Sequence, residues 1–272
     1  MAIVKAFILT YHSGNVTGNN YASNNLLALA DDLAYLLAAR IPIVPLRDVV
    51  DSLLHSTKRL LDKMAVITLD DGLDFDFVEL AHPIHGPQPS ARAILSHFST
   101  THDLPVQATS FVIASPSARY QIAEHEMRGH QWIGEQWWNA AVASGLFHVG
   151  NHSWDHLSPS VSPIGQRDGK AGAFTHVDSY EDAELQVRIA REYIHARAPN
   201  PGTALFAYPY GNASTYLVED YLPTHVRRHG TIGAVTTTPG VVHDRSNRWL
   251  LPRFTCGIDW RSPEELGLIL AA

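Results

Sequence analysis

The chain has 272 residues, of which 45% are hydrophobic and 17% charged, so it can form one large soluble domain with a substantial core. Its formal net charge is −7 and it contains no basic run, which argues against a nucleic-acid partner held through phosphate contacts. The single cysteine, Cys256, excludes an internal disulfide framework.

The N-terminal apolar stretch Ile3–Leu9 predicts a buried strand. Its inner run Ala6–Leu9 is too short to span a membrane, and no signal-peptide cleavage pattern follows it. We therefore expect no membrane span and, for the sequence as it stands, a cytoplasmic protein. A secreted or periplasmic location is expected instead if a leader has been removed. The oligomeric state stays open.

Helical patterns and short apolar runs then alternate along the chain. Helical spacing predicts helices over Leu26–Ala39, Arg47–Leu61, Ser90–Thr101, Gly134–Gly145, Tyr180–Ala198 and Tyr216–His229, the last interrupted at Pro223, and a final helix begins at Ser262. Further strands are predicted over Met64–Leu69, Val106–Ile113, Leu146–Gly150, Leu205–Tyr208, Ile232–Thr237 and Leu250–Thr255. This alternation indicates an α/β fold with a parallel sheet of about seven βαβ units in a single domain, residues 1–272.

Polar residues follow several of these strands, and two long loops rich in Pro and Gly, His82–Pro89 and Leu157–Gly172, lie close behind them. In a parallel barrel the loops after the carboxyl ends of the strands line the active site. The strand ends and the loops therefore indicate the same face of the sheet.

The first motif is TLDDG, Thr68–Gly72, at the end of a predicted strand. Neighbouring side chains on a strand point to opposite sides, but a sharp turn at Gly72 can bring both aspartates to one cavity. One carboxylate can then bind a metal ion while the other accepts a proton. The alternative interpretation is an ordinary Asp-Gly turn.

The second motif is NHSWDH, which ends in His156 and begins one residue before His152. If the chain turns helically after the strand, these two histidines share a face and converge on one metal ion. Two histidines and one carboxylate leave positions open for water and substrate. The alternative is a surface loop in a chain that has 16 histidines.

The third motif is FAYPYGNAS, Phe206–Ser214, in which Pro209 and Gly211 predict a rigid turn at another strand end. A backbone N–H in such a turn can stabilise an oxyanion. An ordinary strand-to-helix turn is the alternative.

Together these motifs resemble the polysaccharide deacetylase family, the NodB-homology domain of carbohydrate esterase family 4. TLDDG is similar to its first motif, usually T-F-D-D-G, and NHSWDH to its second, H-[ST]-x-x-H. FAYPYG is similar to the third motif and GIDW, Gly257–Trp260, to the fourth. The motifs occur in the family's order and the resemblance covers nearly the whole chain.

The resemblance implies a distorted (β/α) TIM-like barrel, commonly of seven strands, and removal of an N-acetyl group from an amino sugar. It implies that Asp71, His152 and His156 hold one divalent metal ion. Zinc is the expected ion, and cobalt, nickel and manganese are the alternatives. It also implies that Asp70 is the general base and that the backbone N–H of Tyr210 helps to stabilise the oxyanion. The expected partner is an N-acetylated carbohydrate substrate.

The chain lacks the arginine usual in the family's third motif, because Ala204 and Ala207 stand at those positions. We expect Arg253, in LPRFTC, to orient Asp70 instead. Some branches of the family that act on exopolysaccharide also read F-A-Y-P-Y-G, so the departure does not exclude the chain.

The chain also lacks the histidine of the family's fifth motif, L-x-L-H, which acts as general acid. The matching stretch is LGLIL, Leu266–Leu270. Histidines on predicted rim loops are candidates to replace it: His12, His85, His130 and His176. We expect His12 to take this part because it ends a predicted barrel strand.

Sugar contacts are expected from Trp154 and Trp260, together with Pro209 and Asp259 of the third and fourth motifs. Tryptophans at helical spacing are more often core residues, and we expect this of Trp137 or Trp138. Two other functions stay open at this point: an amidohydrolase for a small non-sugar amide, and a catalytically silent homologue that only binds glycan.

Overall fold

A seven-stranded parallel sheet forms the centre of the molecule. The computed structural model describes residues 5–55, 62–161 and 172–271. The strands, in chain order, are β1 Lys5–Tyr11, β2 Lys63–Leu69, β3 Leu80–His82, β4 Gly86–Gln88, β5 Ala108–Val112, β6 Phe147–Asn151, β7 Leu205–Ala207, β8 Gly233–Val235 and β9 Phe254–Thr255. The sheet order is β8-β7-β6-β5-β2-β1-β9, and β3 and β4 form a separate antiparallel hairpin.

Helices connect these strands. They are α1 Asn25–Ala38, α2 Leu46–Leu54, α3 Ala91–His102, α4 Pro116–Glu126, α5 Trp138–Ala143, α6 Tyr180–Ala183, α7 Ala190–Arg197, α8 Leu222–Thr224, α9 Val226–His229 and α10 Pro263–Ala271. A π-helical stretch, Glu184–Ile189, joins α6 to α7, and a second, Leu217–Tyr221, leads into α8. In the described part of the chain, no helix has the length and apolarity needed to cross a membrane.

Both faces of the sheet are covered, which explains why the strands are almost continuously apolar. Successive residues of β1 enter different clusters: Phe7 and Leu9 pack in one, Ala6 and Ile8 in another. The second cluster also contains residues of β2, β5, β7, β8 and helix α2. Residues from strands that are far apart in the sheet meet because the sheet curls. The second cluster fills the interior of the curled sheet.

The two edges of the curled sheet approach each other through one segment near the C-terminus. Leu251 forms a parallel bridge to Val235 of β8, and its carbonyl accepts a hydrogen bond from the Thr236 N–H at 2.9 Å. Four residues later, Thr255 pairs with Thr10 of β1. The seven parallel strands confirm the predicted distorted barrel.

The predicted elements agree with the structure in kind and differ at their ends. All seven predicted strands are present, and predicted residues 3–4 and 56–61 lie outside the described residues. The helix predicted over Gly134–Gly145 is shorter, Trp138–Ala143, and the helix with Pro223 breaks at His225. Two elements have no counterpart in the prediction, the β3–β4 hairpin and helix α4.

Candidate active site

The two aspartates of the first motif follow directly on β2. Asp71 and Gly72 both have positive φ angles, 74° and 69°. A Cβ atom on Gly72 would lie 2.8 Å from the Val112 Cα, so the close approach of β5 requires glycine there. This left-handed turn is the sharp bend expected from the sequence, and it brings both carboxylates to one cavity.

Asp70 is buried and forms a two-point ion pair with Arg253. The arginine Nη1 donates to Oδ1 at 2.8 Å, and its Nη2 donates to Oδ2 at 2.6 Å. The same guanidinium donates to the Thr236 carbonyl and to the Thr68 hydroxyl, and it has no solvent exposure. Burial alone would raise the pKa of Asp70, but the Arg253 charge and the nearby His152 lower it below its usual value.

Asp71, His152 and His156 form a compact set of potential metal ligands. The Nε2 atoms of both histidines lie 3.6 Å from the same carboxylate oxygen, Oδ1 of Asp71. One ligand atom from each residue lies within 4.8 Å of the others. The His152 Nδ1 is hydrogen-bonded to the Ala207 carbonyl at 2.9 Å, which leaves Nε2 directed at the carboxylate.

The two histidines converge, but not through the helical turn expected from their spacing. Ser153, His156 and Leu157 all have positive φ, so the chain after β6 follows a series of tight bends. The Ser153 hydroxyl accepts a hydrogen bond from the His156 N–H at 3.0 Å and fixes this loop. Convergence therefore depends on the loop's own hydrogen bonds rather than on a shared helix face.

The charges of this set act on one another. Burial would raise the pKa of Asp71, and the hydrogen bond with His152 brings it well below its ordinary value. Burial would lower the pKa of His152, but Asp70 and Asp71 raise it. Burial together with the His152 charge lowers the pKa of His156 to about 4. A cluster in which opposite charges compensate for burial is typical of a functional site.

The third motif contributes a tight turn to the same cavity. Tyr210 and Gly211 have φ angles of 58° and 68°. A Cβ atom on Gly211 would lie 2.7 Å from the backbone nitrogen of Thr237, so only glycine fits. The Tyr210 ring contacts the His156 ring edge to face, with centroids 4.5 Å apart. The turn thus packs directly against a potential metal ligand.

A cavity of about 290 Å³ opens over these side chains. It is lined by His12, Asp70, Asp71, Ile113, Ile122, Glu126, Met127, Ile133, His152, His156, Tyr210, Gly211 and Thr237. The His12 backbone N–H donates to Asn25 Oδ1 at 3.0 Å, and the His12 Nδ1 is buried without a hydrogen-bond partner among the described residues. The end of β1 therefore places an imidazole in the same cavity as both aspartates.

One wall of the cavity is formed by helix α4, which has no counterpart among the predicted helices. Ile122, Glu126 and Met127 belong to helix α4 and its C-cap. The apolar residues of this helix are not segregated to one face, so helical spacing does not indicate it. Its start does carry a signal, since Ser115 caps the helix through its hydroxyl and Pro116 occupies the first turn.

Four residues predicted to contact a sugar are not among the residues that line this cavity. Trp260 is fully buried and donates to Asp32 Oδ2 at 3.0 Å, so it is a core residue. Asp259 accepts from the Thr255 N–H at 2.6 Å and shapes the turn of the fourth motif. Trp154 packs edge to face against Tyr193. Pro209 is buried beside the two residues of its motif that reach the cavity.

The other candidate histidines also lie away from the cavity lining. His130 stacks on Trp132 with ring centroids 4.2 Å apart, and His85 stacks on His82. His176 belongs to a short 3-10 turn. Of the four histidines considered as replacements for the missing fifth-motif residue, His12 lines the cavity.

The chain is similar to known deacetylases in sequence and in fold. A family model described as Polysaccharide deacetylase matches residues 57–227, which is more than half of the chain. The matched region contains Asp70, Asp71, His152 and His156. A comparison with curated proteins gave no match.

Three solved structures illustrate the likeness in fold. The Streptococcus pyogenes deacetylase PplD in complex with acetate has a TM-score of 0.68 at 18% identity, covering 98% of this chain and 99% of its own. IcaB from Ammonifex degensii has a TM-score of 0.61 at 19% identity, covering 99% and 98%. BC0361, a polysaccharide deacetylase from Bacillus cereus, has a TM-score of 0.63 at 14% identity, covering 98% and 69%. Taken with the family match, the conclusion is that this chain belongs to the polysaccharide deacetylase family.

Proposed function

We propose that the protein is a metal-dependent hydrolase that removes N-acetyl groups from an N-acetylated amino-sugar polymer or oligosaccharide. One observation carries the proposal: a buried carboxylate held by an arginine adjoins an Asp-His-His set at the floor of an open cavity. This arrangement supplies a proton acceptor and a cation site side by side, which amide hydrolysis needs.

The residues Asp71, His152 and His156 fit a divalent metal ion. Two imidazole nitrogens and a carboxylate oxygen are the ligands of catalytic zinc sites, with positions left for water and substrate. The 3.6 Å spacing between each Nε2 and Asp71 Oδ1 is close to the ~3.4 Å expected between tetrahedral ligands of zinc. Cobalt, nickel and manganese accept the same ligand types. When bound, such an ion supplies Lewis acidity toward a carbonyl oxygen and toward water.

Asp70 acts as the general base in this proposal. Its carboxylate is kept ionised and oriented by the two hydrogen bonds from Arg253. The carboxylate that follows it in sequence belongs to the metal set, so the two neighbouring aspartates divide the two tasks. Asp70 accepts the proton of the attacking water as the water oxygen adds to the amide carbonyl carbon.

The proton for the leaving nitrogen comes from His12 in this proposal. Its ring lines the cavity and its Nδ1 has no partner among the described residues, so the ring is not committed to a structural hydrogen bond. Asn25 fixes its backbone. The backbone N–H of Tyr210, in the rigid turn across the cavity, is proposed to stabilise the oxyanion.

Acetate release from a panel of N-acetylated oligosaccharides tests the function. We expect release by the wild type that stops when a chelator is added and returns with zinc. Asp70→Asn should abolish release and leave the metal bound, whereas Asp103→Asn, an exposed aspartate at the end of α3, should leave release unchanged.

Each other outcome of this panel points to a different function. Release that persists in metal-free protein would contradict the metal-dependent mechanism. Hydrolysis of small non-sugar amides alone would replace the sugar substrate with another class. Glycan binding without hydrolysis would indicate a silent homologue.

A further inference from the structure

A third carboxylate, Glu126, lines the cavity and takes no part in the proposed chemistry. It is the last residue of α4 and is exposed. Its Oε1 accepts a hydrogen bond from the Ser158 hydroxyl at 2.6 Å, and Ser158 itself is 3% exposed. A buried hydroxyl therefore fixes one carboxylate oxygen, and the other can accept a hydrogen bond from a ligand.

The negative charge of Glu126 is not neutralised by its surroundings in the described part of the chain. Asp70 is paired with Arg253, and Asp71 faces two imidazoles. No described arginine or lysine pairs with Glu126, and neither residue type lines the cavity. Among the described residues, the cavity therefore presents one carboxylate without a cationic partner to whatever enters it.

Helix α4 holds this carboxylate in a fixed place. Arg119 on the same helix is 4% exposed, with its guanidinium 4.8 Å from the Trp138 ring centroid, and it forms an ion pair with Glu135. Glu135 also accepts from the Tyr193 hydroxyl at 2.9 Å. Because these contacts tie α4 to α5 and α7, Glu126 is part of a rigid wall.

Resting on the proposed deacetylation, we propose that Glu126 binds the amino group of a de-N-acetylated sugar, so that the enzyme favours partly de-N-acetylated glycans over fully acetylated ones. Each deacetylation converts a neutral acetamide into a primary amine that takes up a proton. A fixed carboxylate accepts a short charge-assisted hydrogen bond from such an ammonium group. It binds a neutral acetamide less strongly and repels glycans that carry carboxylates or phosphates.

The test uses the zinc-loaded enzyme and a ligand that it cannot turn over, a fully de-N-acetylated glucosamine tetrasaccharide. Calorimetry at mildly acidic pH gives its Kd for wild type, Glu126→Gln, Glu126→Asp and Glu124→Gln. Glu124 is the matched control, because it is exposed on the same helix, accepts from Gln131 Nε2 at 2.9 Å and does not line the cavity.

We expect Glu126→Gln to weaken binding about tenfold, the loss typical of one hydrogen bond to a charged group. Glu126→Asp should weaken it less, and Glu124→Gln should leave it unchanged. The difference between wild type and Glu126→Gln should shrink in about 1 M NaCl, where screening is strong. In parallel, the ratio of kcat/KM for partly and fully acetylated tetrasaccharides should fall toward one in Glu126→Gln.

Equal binding by wild type and Glu126→Gln would overturn the inference, as would an equal loss in Glu124→Gln. If acetate is released normally while amine binding does not depend on Glu126, the inference fails alone. If no N-acetylated glycan is deacetylated and the amine does not bind, the proposed function and the inference both fail.

Discussion

Arg253 donates two parallel hydrogen bonds to Asp70, one to each carboxylate oxygen, and both residues are buried. The two residues are separated by 183 positions in the chain. Their contact joins the end of β2 to the segment that closes the sheet. One ion pair therefore orients the proposed base and links it to the segment that closes the barrel.

Replacing Arg253 with methionine should destabilise the fold by about 3–5 kcal/mol, because Asp70 is then a buried charge without a partner. Denaturant unfolding measures the change. The double variant Asp70→Asn with Arg253→Met should lose less than the sum of the two single changes, since it leaves no buried charge unpaired. Arg245→Met, on an exposed loop, should change stability by less than about 0.5 kcal/mol. If the losses of stability in the two single variants add up to the loss in the double variant, Asp70 and Arg253 are not energetically coupled.

The metal content of the protein should depend on His152, whose ring is oriented by the Ala207 carbonyl. Elemental analysis of the purified wild type should give about one divalent ion per chain, because two imidazoles and a carboxylate converge. His152→Ala should give none, and His125→Ala, on the exposed side of α4, should retain the ion. A wild type that holds no metal after reconstitution with zinc, cobalt or nickel would contradict the proposed site.

Gly211→Ala should damage both the fold and the cavity wall. An added Cβ would lie 2.7 Å from the backbone nitrogen of Thr237, and φ is +68°. We expect a loss of more than about 2 kcal/mol, made up of steric overlap and left-handed strain. Thermal unfolding and acetate release measure the two effects.

Comparison of Gly145→Ala with Gly211→Ala separates the backbone strain of a positive φ from the steric overlap of the added Cβ. Gly145 has a φ of +73°, but no heavy atom lies within 4 Å of its added Cβ. It should therefore show the left-handed strain alone, about 1 kcal/mol. An equal loss of stability in Gly211→Ala and Gly145→Ala would mean that the overlap with Thr237 does not contribute.

The strands and the potential metal ligands Asp71, His152 and His156 were predictable because their signals are local. Each strand is an apolar run of the length that a doubly covered parallel sheet requires, and Asp70 and Asp71 follow one such run. The position of Arg253 opposite Asp70 was expected from the lack of an arginine in the third motif, and the structure places the two in contact.

The burial of Trp260 was not predictable because it depends on a distant partner. Trp260 occurs in a family-like motif, but its direction is set by Asp32, 228 positions away on α1. Helix α4, which carries Glu126, was not predicted because its apolar residues do not form one clear face. Direction of a side chain, unlike burial of a strand, requires the tertiary structure.

His229 should make the protein less stable in mild acid. The side chain is fully buried, its Nδ1 accepts from the Thr231 N–H at 2.9 Å, and its Nε2 lies 3.1 Å from the Leu222 carbonyl. Protonation would place a hydrogen on Nδ1 and remove the first of these bonds. Burial lowers the pKa of His229 to about 4, below the 6.5 of an unfolded chain.

Because the folded pKa is the lower one, the unfolded state binds more protons between pH 6.5 and 4. The contribution of His229 is complete above pH 6.5, and up to about 3 kcal/mol is lost as the pH falls through 4. His229→Asn should be less stable at neutral pH but should lose less on acidification, whereas His97→Asn, exposed on α3, should follow the wild type. Urea unfolding across this pH range gives the slopes, and equal slopes for wild type and His229→Asn would contradict a buried neutral imidazole.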